Sequence, residues 1–248
     1  MTCKLSMNVN AIAYLRNRRG LPCPSVTDLS AAAMDAGAYG ITVHPRPDER
    51  HITTDDVFAL SELMSGAYSD KEFNIEGNPD ARFVELVEKV RPHQVTLVPD
   101  DVRQVTSDHG WDIPRHASFL SDVIARLKSG GMRVSVFVDP ETELAHAASD
   151  VGADRIEIYT GPYGAAFDPV IAAAELAKII ATGIAAGEAG IGLNAGHDLT
   201  IANLPPLVEG LPNLVEVSIG HAITADALMY GLPESVRRFR AACGDPVT

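Results

Sequence analysis

Ser129-Gly130-Gly131-Met132-Arg133-Val134-Ser135-Val136-Phe137-Val138 sets a helix stop directly before a strand. The paired glycines end a helical run. The stretch Val134 to Val138 is apolar nearly throughout, which suits a parallel strand covered by helices. The pairing recurs in both directions along the chain. Strands are expected at Lys4–Val9, Gly40–Val43, Glu72–Ile75, Gln94–Val98, Arg133–Val138, Arg155–Tyr159, Gly190–Asn194 and Leu214–Ile219. Alanine- and leucine-rich amphipathic stretches lie between them. Helix starts are signalled at Thr53-Thr54-Asp55-Asp56, Asn78-Pro79-Asp80, Asp168-Pro169 and Thr224-Ala225-Asp226. Helix ends are signalled at Ala36-Gly37 and Val151-Gly152. Eight strands alternating with eight helices in 248 residues predict a (β/α)₈ TIM barrel of class α/β, one domain spanning 1–248 with no linker. An open doubly wound sheet would leave the last two units unexplained.

Composition narrows the function. The net charge of −13 argues against generic nucleic-acid binding and against a basic membrane-binding surface. No run approaches 18 uninterrupted large apolar residues, so no membrane-spanning helix is expected. The opening Met1-Thr2-Cys3-Lys4-Leu5 lacks the basic-then-apolar order of a secretion signal. Cys3, Cys23 and Cys243 are odd in number and show no CxxC spacing. They read as reduced thiols of a cytoplasmic protein rather than as a disulfide framework or zinc site.

In such a barrel chemistry collects at the C-terminal ends of the strands. That rule sorts the eight histidines. His44, His51, His109, His197 and His221 fall in βα loops, whereas His93 precedes a strand and His116 and His146 fall on helices. His44 follows the second strand and can carry a proton either way near neutral pH. Glu76, after the third strand, would have its proton affinity raised by apolar surroundings, as a base acting on a carbon acid requires. Glu157 lies within the sixth strand, and if it points inward it is not an idle charge. Gly196-His197-Asp198 and Gly220-His221-Ala222 follow strands seven and eight, where barrels often hold phosphate. Arg16-Asn17-Arg18-Arg19-Gly20, with Arg46 and Arg50, offers a second anion-binding group, since guanidinium forks grip phosphate oxygens.

These residues resemble the pyridoxine 5'-phosphate synthase family. The resemblance is carried by Asn8-Val9-Asn10, Leu15-Arg16-Asn17-Arg18-Arg19-Gly20 and Gly40-Ile41-Thr42-Val43-His44-Pro45-Arg46-Pro47-Asp48-Glu49-Arg50-His51-Ile52. It continues through Phe73-Asn74-Ile75-Glu76-Gly77, Val95-Thr96-Leu97-Val98-Pro99, Ile156-Glu157-Ile158-Tyr159-Thr160-Gly161, Asn194-Ala195-Gly196-His197 and Ile219-Gly220-His221-Ala222-Ile223. It implies an octameric barrel enzyme built from dimers, needing neither metal nor organic cofactor. Such an enzyme joins 1-deoxy-D-xylulose 5-phosphate to 3-amino-2-oxopropyl phosphate, closing a ring and releasing phosphate and water. By the same resemblance His44 and Glu76 accept protons and His197 donates one. Asn8, Arg19, Asp198, Gly220 and His221 would hold the amino ketone phosphate. Arg46, His51 and Thr106, with Asn10 and Ala11, would hold the sugar phosphate.

Two positions depart from the family pattern. Many members carry Asp-His where this chain has Asn10-Ala11, and many carry glycine at Asp198. A carboxylate facing phosphate would repel it, so Asp198 is expected to offer its backbone N–H and turn its side chain away as a helix cap. Two rival readings remain at this level. One is a metal-dependent barrel aldolase or lyase whose His44, Glu76 and His197 form a two-histidine, one-carboxylate site. The other is a barrel that binds phosphorylated ligands without catalysis.

Overall fold

The strands found in the computed structural model all overlap their expected runs, and the residues they turn into the barrel are largely polar. The structure describes residues 2–101, 103–104 and 106–245. The chain runs β1 (Lys4–Asn8), α1 (Asn10–Asn17), α2 (Val26–Asp35), β2 (Gly40–Val43), α3 (Thr54–Gly66), β3 (Glu72–Gly77) and α4 (Ala81–Val90). It continues through β4 (Gln94–Leu97), α5 (Ile113–Ser129), β5 (Arg133–Val138), α6 (Thr142–Asp150) and β6 (Arg155–Tyr159). The last part holds α7 (Gly161–Gly164), α8 (Pro169–Glu188), β7 (Gly192–Gly196), α9 (Leu204–Gly210), β8 (Leu214–Ile219), α10 (His221–Tyr230) and α11 (Leu232–Ala242). The eight strands close in sequence order, with β8 pairing parallel to β1. This is the (β/α)₈ barrel expected from the alternation.

Helices number eleven among the described residues rather than eight, and the additions matter. α1, α7 and α10 each start within two residues of a strand's end, at the barrel mouth. Their starts lack a side-chain cap. The expected start at Thr224-Ala225-Asp226 falls inside α10, and Asp226 instead pairs with Arg238 of α11. Elsewhere the caps follow sequence: Thr53 closes a capping box on α3, Asp80 caps α4 and Asp168 caps α8.

β7 sits two residues later than expected. Gly190 adopts φ +69° as the chain leaves α8, so extended backbone starts only at Gly192. α8 is long and apolar enough by length and composition to cross a membrane, with mean hydropathy 1.6, contrary to the expectation that no segment would be. Its apolar residues are seven alanines with four isoleucines, Val170 and Leu176, and Ile179, Thr182, Gly183, Ala185 and Ala186 are buried in the fold.

Alternation decides what fills the barrel. Val134, Val136 and Val138 are fully buried, while Ser135, between them, belongs to the polar set. A hydrogen-bonded ladder crosses four strands: Ser6 Oγ lies 2.8 Å from Thr42 Oγ1, Asn74 Nδ2 donates to Thr42 Oγ1 (3.3 Å), and Thr96 Oγ1 donates to Asn74 Oδ1 (3.1 Å). Nearer the N-terminal strand ends, Arg155 Nη1 donates to Gln94 Oε1, Asn194 Oδ1 and Glu216 Oε2 at 3.2, 3.2 and 3.3 Å. Arg133 donates to Gln94 (2.9 Å) and pairs with Glu72. The interior is thus polar where many barrels stack aliphatic layers. Deleting one donor strands several buried acceptors. Arg155→Met is therefore expected to cost about 3 kcal/mol in the first urea unfolding transition. A loss under about 1 kcal/mol would show that the network is dispensable.

Candidate active site

Each strand delivers its last inward residue to the mouth, and there the polar interior opens into a cavity of about 680 Å³. Its wall includes His44, Glu76 and His197, together with Asn8, Asn10, Ala11, Arg46, His51, Thr106, Glu157, Asp198, Gly220 and His221. Residues from five βα segments, the end of β1 and the strands β3 and β6 thus meet in one place.

Glu76 is in β3 and only 7% exposed. Its Oε1 accepts from Asn8 Nδ2 (3.1 Å) and lies 3.8 Å from His44 Nδ1. Burial, and then the charge of Asp100, push its carboxyl up to about 7, against the pull of Arg46 and Asn8. His44 is held by its backbone N–H, which donates to Asn10 Oδ1 (2.9 Å). Burial first, then Arg46 and His51, lower its proton affinity well below that of a free imidazole, so it is neutral at pH 7. Glu157 is 3% exposed, and burial followed by the charge of Glu76 pushes it up to about 8. A Cβ at residue 196 would lie 2.4 Å from Glu157 Oε1, so only glycine there leaves the carboxyl its place. The cavity therefore presents a protonated acid, a carboxyl poised near neutrality and a neutral imidazole side by side. That set can both take and give protons at pH 7.

His197 packs edge-on against Tyr159 with centroids 5.5 Å apart, and Thr106 Oγ1 is 3.4 Å from its Nε2. Burial lowers its proton affinity, opposed by Asp198 and Asp100. His197 and Asp198 both take positive φ, at 84° and 55°. Such strain persists only where neighbours hold it. Here Thr160 Oγ1 reaches the carbonyls of Gly196 and His197 (2.6 and 2.5 Å), and Asn203 Nδ2 donates to the Asp198 carbonyl (3.2 Å). Among the described residues Asp198 caps no helix, contrary to expectation. The local turn is closed by Asn203, whose Oδ1 accepts from Thr200 N–H (2.6 Å), and Asp198 is among the residues that line the cavity.

The start of α10 lines the cavity through Gly220, His221, Ala222 and Thr224. Its first N–H groups have no side-chain cap, and the buried Thr224 hydroxyl has no partner among the described residues. An uncapped helix N-terminus of this kind binds anions. At Gly220 a Cβ would come 3.0 Å from the Asn8 carbonyl oxygen, so glycine is what lets the chain pass so close to β1.

The arginine cluster divides. Arg16 turns away and forks onto Asp56 of α3. Arg18, at the C-terminal end of α1, lines the cavity, whereas Arg19 is exposed and does not. Arg50 pairs with Asp48 and donates to the Gln104 carbonyl (2.8 Å). His109 is exposed beside Asp108, outside the wall. Among the described residues no group of three or more His, Cys, Asp and Glu is arranged to hold a metal ion. His44, Glu76 and His197 thus do not form the ligand set of the metal-dependent rival.

The family described as Pyridoxal phosphate biosynthesis protein PdxJ matches residues 5–245. The chain belongs to the PdxJ family. Relatives of this PdxJ-family chain include the pyridoxine 5'-phosphate synthase of Allorhizobium ampelinum, 57% identical over 248 residues and covering 99% of both proteins. That of Chelativorans sp. is 56% identical over 246 residues, covering 98% of this chain and 99% of the relative. Such relatives make the PdxJ-family chain an enzyme. Among solved structures, thiamine phosphate pyrophosphorylase from Pyrococcus furiosus has a TM-score of 0.60 at 16% identity, covering 98% of this chain and 96% of that one. A native KDPGal structure reaches 0.60 at 14%, covering 96% and 93%. Both likenesses speak to the barrel alone.

Sequence reading overlooked several residues of the PdxJ-family cavity. Tyr14 and Leu15 reach it from α1, and Ser218 from β8. Asp100, which lines a smaller neighbouring cavity together with His44 and Arg46, also escaped notice although it directly follows Val98-Pro99 beyond the end of β4, where the barrel rule directs attention.

Proposed function

We propose that the protein is a pyridoxine 5'-phosphate synthase that condenses 1-deoxy-D-xylulose 5-phosphate with 3-amino-2-oxopropyl phosphate, releasing phosphate and water. The observation that carries this reading is the buried trio of His44, Glu76 and Glu157 at different proton affinities in one cavity. Joining an amine to a ketone, losing water and closing a ring all move protons beside C=O or C=N groups, and such a trio suits that work. Two phosphorylated substrates need two anion sites. The bare α10 start with Arg18, Gly220 and His221 supports one, and Arg46, His51, Asn10 and Thr106 support the other.

Glu76 and His44 act as proton acceptors and His197 as donor. Burial keeps His197 neutral at pH 7, and the negative charge of bound phosphates favours its protonated form. Asn10 holds the His44 backbone, so it positions the base as well as facing the sugar phosphate. Ala11 supplies only backbone and a methyl group. Arg19 holds the amino ketone phosphate, with Arg18, which lines the cavity, beside it.

The enzyme works in the cytoplasm on small phosphorylated molecules, without nucleic-acid or membrane partners and without a cofactor. It does so as a homo-octamer. Exposed apolar residues near α8 (Phe167 97%, Val170 78%) and on α10 (Leu228 79%, Met229 78%) support self-association. Light scattering is expected to report eight chains, and a monomer at micromolar concentration would contradict it. Phosphate release, followed with both substrates and with each alone, tests the reaction. Signal from the pair only is expected. Binding of either substrate without release from the pair would leave a non-catalytic barrel.

A further inference from the structure

Asp100 is 7% exposed and holds a buried ion pair with Arg46, their side chains 3% and 4% exposed. The same oxygen accepts from the Ser107 hydroxyl at 2.6 Å. Its other oxygen is buried and has no hydrogen-bond partner among the described residues. Arg46 also donates to the Gln104 carbonyl (2.8 Å). Behind this pair lies a second, smaller cavity of about 220 Å³, and His44 and Arg46 belong to the walls of both. Taking two charges out of water is costly, and a merely structural contact at this depth would be served as well by apolar packing. A fixed charge retained beside acid–base groups calls for another explanation.

We propose that Asp100 is a positioning residue, whose carboxylate holds the Arg46 guanidinium in the wall between the two cavities and sets the charge that Glu76 and His197 feel. The proposal rests on the acid–base reading of the cavity given above. Glu76 is faced by Asn8 from β1, Asn10 from α1, His44 and Arg46 from the segment after β2, Glu157 from β6 and Asp100 from the segment after β4. Of these, Asp100 is the charge that most raises the proton affinity of Glu76, and Arg46 works against it. Asp100 also favours the protonated form of His197 against burial. One carboxylate thereby helps the base release its proton late and the donor keep its proton longer. Neutralising Asp100 removes that charge and leaves Arg46 uncompensated, and both changes lower the titration of Glu76.

The Glu76 carboxyl is titrated by ¹³C NMR in glutamate-labelled protein, its signal assigned by its loss in Glu76→Gln. Asp100→Asn is expected to move that titration down by about one pH unit, tenfold in acid constant. Asp100→Glu, which keeps the charge, is expected to restore it, and Ser107→Ala to leave it in place. Should Asp100→Asn not fold by circular dichroism, Asp100→Ser is read instead. With both substrates, the acid limb of kcat/KM moves to lower pH together with the titration. A Glu76 titration unmoved in the neutral variant, or moved equally by Ser107→Ala, overturns the proposal. The NMR readout needs no substrate. A failure of the functional reading shows separately, as absence of phosphate release from the unsubstituted protein.

Discussion

Glu76→Gln and His44→Ala are each expected to lose at least about a hundredfold in turnover while substrate affinity largely survives. Glutamine keeps the size of Glu76 and can still accept from Asn8 Nδ2, which lies 3.1 Å from Oε1, but it cannot take a proton. A carboxyl pushed up to about 7 by burial is well matched to proton abstraction near neutral pH, and the amide has no equivalent. His44 is neutral for the same reason, burial, and its Nδ1 stands 3.8 Å from Glu76 Oε1, so each removal leaves the other without its partner. Turnover from saturating substrate pairs, with affinities from calorimetry, separates chemistry from binding. Near-wild-type turnover in both variants would remove these residues from the chemistry.

Glu157→Gln is expected to give a protein that is both more stable and far less active. The carboxyl titrates about 8 in the folded chain against an ordinary 4.5. Between those values the native state holds a proton that the unfolded chain has released, so stability falls as pH rises through that window. An amide carries no such penalty. The variant should match the parent near pH 4 and exceed it by a few kcal/mol at pH 8 and above, on the order of the shift's full worth. Turnover should fall about a hundredfold, because an amide donates a hydrogen bond but not a proton. Urea unfolding at pH 4, 6 and 9, read with phosphate release, decides it. A stability difference independent of pH would mean that Glu157 is not held protonated. Because Glu76 and Glu157 feel each other's charge, the activity profile reports the pair, rising near 7 and falling near 8.

The barrel was legible because its signal is local and repeated. Every strand from β1 to β8 overlaps its expected run, and the strand ends identified which polar residues meet at the mouth. Helix α1 was not legible. It starts without a side-chain cap and is held by the burial of Ile12 and Ala13, a gain that exists only once the barrel has formed. For the same reason the arginines could not be told apart. Arg16, in the last turn of α1, pairs with Asp56, Arg18 at its C-cap lines the cavity, and Arg19 lies exposed in the turn beyond, a division set by how α1 seats on the barrel. Asp198 was expected to cap a helix, yet its positive φ belongs to a strained turn fastened by Thr160 and Asn203, residues distant or unremarkable in sequence.

By itself the order of residues determined the alternation of strands and helices, and with it the list of side chains that reach one rim. That much follows from the short range of strand and helix periodicity. The closed barrel alone decided how each group holds its proton. Carboxyls at residues 76, 100 and 157 are chemically alike along the chain, and only their burial, and their distances from Arg46 and from one another, make one an ion-pair partner, one poised and one protonated.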